Sequence, residues 1–256
     1  LDIETTKDGQ VAIVTLNRAP QRNAVTLAMW KELASIFAEF NADAGIRGVI
    51  LTGAGGNFSV GADVSEFGQV RSDGAQSKAY EVAVDAASEA IANARMPVIA
   101  VLAGYCLGGG CHLAMACDFR FAERDAAMGI PAAKLSIVYG VRSTQRLMSL
   151  VGLTNAKRVL YSADRYTAAE AASMGLVDEV SEDPMNDAVN YAKRIAALAP
   201  LSVEGAKRIL TGVAMGEGRL DVAEANAFID RVSDSADYRE GRRAFAEKRS
   251  PDFRGN

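Results

Sequence analysis

Residues 100–118, A-V-L-A-G-Y-C-L-G-G-G-C-H-L-A-M-A-C-D, limit the fold more than any other stretch of the chain. Residues 98–103 are a short apolar run of the kind that forms a buried strand. Gly104 interrupts it, and Gly108, Gly109 and Gly110 remove three Cβ atoms in a row, so the backbone there can lie directly against another group. Residues 112–117 carry the small side chains of a helix packed closely on its neighbours. A strand that turns through glycine into a helix N-terminus gathers unpaired backbone N–H groups at the positive end of the helix dipole. Such a point holds an anion, or an oxygen that becomes one during a reaction. Tight helix–strand packing explains the same glycines equally well. Neither phosphate fingerprint is present: the cluster lacks the second glycine of G-x-G-x-x-G and the Lys-Ser/Thr of a P-loop.

Around this stretch strands and helices alternate. Residues 11–17 read as a strand by their β-branched content. Thr26 caps a helix whose apolar face is Trp30, Leu33, Phe37 and Phe40, at three- and four-residue spacing. Residues 48–51 form a second buried strand, 52–56 a glycine loop, and 57–67 a further loop that turns at Gly61. An Ala-rich helix covers 76–94, and Pro97 closes it before the central strand. Beyond that strand, 119–122 and 127–129 are short strands, 131–139 is a loop ending at Gly140, and 143–150 and 154–161 are helical. Thr167 and Glu170 make a capping box, Gly175 ends that helix, and 176–180 returns as a strand. From Asp183 onward, with Pro184 at a helix start, only helices follow: 185–198, 201–215, 220–232 and 238–248. The order predicts an α/β core to about residue 180, followed by a helical C-terminal region.

Composition narrows the function. A net charge of −4 with acidic and basic residues mixed argues against nucleic acid as the main partner. No apolar run reaches the ~18 residues of a membrane span, and no signal-peptide core opens the chain, so a cytoplasmic protein without a membrane partner is expected. Cys106, Cys111 and Cys117 lack C-x-x-C spacing and read as buried thiols of a reducing compartment. Nothing near Cys111 would generate a nucleophilic thiolate, and no metal site is expected.

Four segments then combine: L-N-R-A-P-Q-R-N-A, V-I-L-T-G-A-G-G-N-F-S-V-G-A-D-V, the opening stretch, and T-A-A-E-A-A-S-M-G-L-V-D-E-V. In this order and spacing they resemble the crotonase (enoyl-CoA hydratase/isomerase) family, as does the tail Y-R-E-G-R-R-A-F-A-E-K-R-S-P-D-F. The resemblance implies an α/β spiral of ββα units over residues 1–195 with a helical C-terminal trimerisation region over 196–256, assembled as a homotrimer or homohexamer. It also implies an acyl-CoA substrate, with coenzyme A entering as part of that substrate and no other cofactor. Two backbone N–H groups of the family grip the thioester oxygen, and by position they fall on Ala62 and Gly109. Fixed donors of this kind stabilise an enolate more than its ground state. For CoA itself the resemblance points to Arg22, Ala24 and Asp63, and to Lys248, which matches a lysine reaching CoA from an adjacent subunit.

The departures from the family pattern bear on the reaction. Family hydratases carry two glutamates that add or remove water; here the positions hold His112 and Ala132. Glu66, Glu81 and Glu123 fall on neither position and read as surface carboxylates, and Ser65 stands where a family lysine is common. His112, the single histidine, is either a structural residue or a general acid/base, with the helix N-terminus favouring its neutral form. Tyr139 is the second candidate, because L-S-I-V-Y-G resembles the loop of family decarboxylases acting on methylmalonyl-CoA. A core tyrosine with a bonded hydroxyl is the alternative there. Arg142 and Ser143 either pair with a substrate carboxylate or start a helix. The functions that follow are a lyase of hydratase or decarboxylase type, using His112 or Tyr139, or an acyl-CoA-binding protein without catalysis.

Overall fold

The computed structural model describes residues 1–135, 137–216, 221–233, 235–247 and 249–256. β1 (Ile3–Asp8) and β2 (Val11–Leu16) form a hairpin through Gly9. Only Ile3 of β1 is buried, so no apolar run announced this strand. A 3-10 turn leads to α1 (Leu27–Ala42), where the Thr26 hydroxyl accepts the Met29 N–H and Trp30, Leu33, Phe37 and Phe40 turn inward as their spacing predicts. The chain continues through β3 (Gly48–Gly53), α2 (Phe67–Val70), α3 (Gly74–Ala92), β4 (Val98–Leu102), β5 (Tyr105–Leu107), α4 (Gly109–Ala116) and β6 (Phe119–Glu123). Then come β7 (Ala127–Gly129), α5 (Val141–Ser162), β8 (Arg165–Thr167), α6 (Ala168–Ser173), β9 (Glu179–Ser181) and α7 (Pro184–Ala196). Three further helices close the chain: α8 (Pro200–Ala214), α9 (Val222–Ser233) and α10 (Ala236–Glu247).

Six strands pair in the order β1-β2-β3-β4-β6-β9, parallel except for β1, and three pair as β5-β7-β8. Two single bridges, Ser59 with Cys106 and Val25 with Ala62, carry the smaller layer onward. Each turn of the chain therefore gives a strand to the large sheet, a short extended piece to the small layer, and then a helix. β4, β5 and α4 make one such unit, and β6, β7 and α5 the next. This is the ββα spiral that the resemblance implies.

Alternation along the parallel strands buries both faces of the large sheet. Val49, Leu51, Val98, Ala100 and Leu102 join the main core beneath α1, α3 and α4. Ile50, Ile99 and Val101 face the other way, against Ala188 and Ala192 of α7. The helical tail is fastened to this sheet by Lys207 of α8, which donates to Asp118 at 2.7 Å and to Met96 O at 2.9 Å.

Several boundaries differ from the sequence reading. α4 begins at Gly109 rather than 112, so all three glycines lie at its first turn. The two helices predicted at 143–150 and 154–161 form one element broken at Gly152, where φ is 72°. β5 and β8 are three residues each, too short to show a period, and the strand expected at 176–180 is β9. Leu220 and Lys248, the ends of two predicted helices, lie outside the described residues. Among the described residues, no helix is long and apolar enough to cross a membrane.

Candidate active site

The bridge between Val25 and Ala62 orients one amide. Val25 N–H donates to Gly61 O at 2.8 Å and Asp63 N–H donates to Val25 O at 2.9 Å. In a parallel ladder of this phase the N–H of the residue between them points away from the partner strand. Ala62 N–H is therefore free of the ladder. A second amide comes from the β5–α4 turn. Gly108, at φ +51°, ends β5 and leaves Gly109 as the first residue of α4, where an N–H has no intrahelical acceptor.

The two turns are packed against each other without side chains between them. A Cβ on Gly109 would lie 3.1 Å from Ala62 N, and one on Gly61 would lie 2.8 Å from Gly109 N. One on Gly110 would lie 2.5 Å from Ser59 O. Close packing and convergence of donors are thus the same feature here, not alternatives. Ala62, Gly109, His112 and Tyr139 all line one cavity of about 480 Å³.

His112, one turn into α4, is buried at 5% exposure. Its Nδ1 lies 2.8 Å from Ser143 Oγ of α5, and its buried Nε2 has no partner among the described residues. Tyr139 O–H donates to Gly108 O at 2.9 Å, the same carbonyl that accepts His112 N–H at 3.0 Å. Burial first, and the nearby Arg146 guanidinium second, push His112 down to about 3. The direction is the one expected, but its causes are desolvation and Arg146. Burial also raises Tyr139 well above its ordinary value, so both groups are neutral near pH 7.

A measurable consequence is a one-proton acid limb in stability. The unfolded chain binds a proton at the ordinary imidazole value of 6.5 whereas the fold resists it until about 3. His112 therefore lowers stability as pH falls below 6.5, with a slope of about 1.4 kcal/mol per pH unit. Urea unfolding of wild type and His112→Gln between pH 4 and 8 should show that slope reduced by about this amount in the variant. Equal slopes would contradict it.

Arg22, Ala24 and Asp63, assigned to CoA, lie outside the cavity lining. Arg22 is exposed in a left-handed turn with its guanidinium 5.4 Å from the centre of the Tyr105 ring. Ala24 is buried, and its carbonyl accepts Arg18 Nη1–H at 2.7 Å. Asp63 accepts Ser65 Oγ–H at 2.6 Å and pairs with Arg18 at 2.8 Å, bonds that hold its carboxyl below the usual range. Lys248 lies outside the described residues.

Of the three carboxylates read as surface groups, Glu123 is exposed. Glu81 is exposed as well, and only the half-buried Glu66 is corrected. Glu66 accepts the Leu27 N–H at 2.6 Å and so caps α1 from across the loop. Glu81 lines the cavity and pairs with Arg71 at 2.8 Å. Arg142 pairs with Glu89 at 3.5 Å, while Ser143 turns inward to His112. Ala132 is in the cavity wall, with Ile130 and Ile137 nearby in the lining. Trp30 and Tyr80 were legible only as core. Trp30 was expected as core and Tyr80 carries the helical spacing Tyr80–Val84–Ala87–Ile91, yet both also line the cavity and share a 3.0 Å hydrogen bond.

The spiral α/β fold thus brings the Ala62 and Gly109 amides to the wall of one largely apolar cavity. A sequence model of the enoyl-CoA hydratase/isomerase family matches residues 6–256, and the chain belongs to that family. A short-chain-enoyl-CoA hydratase from Clostridium acetobutylicum is 35% identical over 247 residues, covering 95% of this chain and 94% of that protein. The solved structure of an enoyl-CoA hydratase from Bacillus anthracis superposes with a TM-score of 0.90 at 34% identity, covering 100% of both chains. That of an enoyl-CoA hydratase/carnithine racemase from Magnetospirillum magneticum gives a TM-score of 0.93 at 35% identity, covering 100% of this chain and 96% of that one. The crotonase fold and an acyl-CoA enzyme family are thereby established for this chain.

Proposed function

We propose that this cavity takes the thioester of an acyl-CoA and stabilises its enolate through the N–H groups of Ala62 and Gly109. The observation that carries the reading is the packing of the two turns, with a Gly109 Cβ position only 3.1 Å from Ala62 N. A thioester carbonyl seated there gains negative charge as the enolate forms, and each fixed donor is worth roughly 3–4 kcal/mol of barrier.

The glutamate pair that the family resemblance calls for is replaced in this chain, with His112 and Ala132 at those positions. In a lyase of hydratase type the proton carrier is His112, a neutral imidazole with Ser143 on Nδ1 and a free Nε2. Decarboxylation is the second reading, and Tyr139 favours it. Losing CO2 requires enolate stabilisation without a water-activating pair, and Tyr139 stays protonated beside the amides. Retained binding without turnover is the third. In each reading the CoA moiety meets Arg22, Ala24 and Asp63, with Lys248 arriving from an adjacent subunit of a trimer or hexamer built on the 196–256 region.

A panel of enoyl-, 3-hydroxyacyl- and malonyl-type CoA thioesters, offered to wild type, His112→Ala and Tyr139→Phe, decides among them. Hydratase-type chemistry should fall by about 10²–10⁴-fold in His112→Ala, the usual worth of a general acid/base. Decarboxylation should respond to Tyr139→Phe instead. Turnover that neither substitution dents would remove both side chains from the mechanism. Thioester affinity with no turnover anywhere would leave a binding protein.

A further inference from the structure

One wall of the cavity is not used by enolate chemistry. It is built from α2 and the middle of α3, and its central group is Arg71. The Arg71 guanidinium carbon lies 4.9 Å from the ring centres of both Phe67 and Tyr80. Its side chain is 18% exposed, and its single partner among the described residues is Glu81, at 2.8 Å from Nη2. Glu81 is itself 51% exposed at the cavity edge. A guanidinium offers five N–H donors in one plane. Here two rings stand against it, and Glu81 is the acceptor at its edge among the described residues.

Tyr80 adds a second unused donor. Its ring is 1% exposed, and its oxygen accepts the Trp30 indole N–H at 3.0 Å. The hydroxyl proton has no acceptor among the described residues, and burial holds it in place by raising the group to about 12. A guanidinium edge and a phenol proton lining the same cavity are matched by a planar, two-oxygen anion.

The geometry points to Arg71 and Tyr80 as a receptor for a second carboxylate on the acyl group, so that the substrates are CoA monothioesters of dicarboxylic acids. This rests on the acyl-CoA reading above and names the substrate class within it. The arriving carboxylate takes the place of Glu81, whose half-exposed side chain returns to water at small cost because an exposed ion pair contributes little. Asp85, the other acid of this wall, lies in the field of Arg146 rather than opposing the ligand alone. The second carboxylate stays intact through the reaction, so its contact is equal in ground and transition states and appears in affinity, not in kcat.

Calorimetric titration of the wild type with two matched pairs tests this: glutaryl- against valeryl-CoA, and adipyl- against hexanoyl-CoA. At least one diacid thioester should bind about 100-fold more tightly than its neutral partner, the range of a charge-assisted hydrogen-bonded pair. Arg71→Met should erase the difference while leaving the neutral thioester's affinity within threefold, and Arg71→Lys should restore part of it. Tyr80→Phe should lower only the diacid affinity. Equal binding within both pairs overturns the receptor while leaving the acyl-CoA reading intact. Failure of every thioester to bind overturns both. Because the wild-type comparison needs no variant, a misfolded Arg71→Met does not blunt the test.

Discussion

Ala62→Pro is expected to lower kcat on the chain's best thioester by about 10²–10³-fold, the usual cost of removing one oxyanion donor. The substitution removes one N–H and sets a Cδ methylene on the same nitrogen, without touching the ladder. The ladder bonds at this bridge run from Val25 N to Gly61 O and from Asp63 N to Val25 O, so neither needs the Ala62 amide. Gly61 precedes the new proline at φ +99°, in a region where the ordinary pre-proline clash with a Cβ does not arise. The loss should show in kcat, because the donor acts more strongly on the enolate oxygen than on the thioester carbonyl, and displacement of the bound carbonyl by the new Cδ should raise KM as well. Circular dichroism and the thermal midpoint provide the control for folding. A folded variant that keeps kcat within threefold would place the developing charge elsewhere.

The glycines carried this part of the site in plain view, because backbone donors leave their trace in the residues that make room for them. Gly61, Gly108, Gly109 and Gly110 sit where a Cβ is excluded or φ is positive. The partner of His112 was hidden for the opposite reason. Ser143 reaches His112 across 31 residues, and only the docking of α5 against α4 reveals the contact. Arg71 gives no signal in the sequence, because its burial is set by Phe67 and Tyr80 on two different helices. β1 escaped notice because five of its six residues face solvent, and β5 and β8 because three residues show no period.

Gly61→Ala tests whether the two turns hold each other in register. The added Cβ would sit 2.8 Å from Gly109 N and 2.8 Å from Leu107 O, both backbone atoms with no rotamer to change. Positive φ costs an L-residue about 1–2 kcal/mol, and a forced backbone shift about 1–3 kcal/mol more. A combined loss of about 2–5 kcal/mol corresponds to a fall in thermal midpoint of roughly 5–20 °C for a chain of this size. Gly56→Ala separates the two contributions, since Gly56 has φ +74° but nothing within 4 Å of its Cβ position. It should lose only the conformational part and keep full activity. In Gly61→Ala assayed well below its midpoint, Gly109 is displaced relative to Ala62, and a misplacement near 1 Å costs about 10²-fold in rate. A Gly61→Ala enzyme with wild-type turnover would mean that the separation of the two amides does not set the rate. Activity lost equally in Gly56→Ala would trace the effect to loop strain rather than to the contact between the turns.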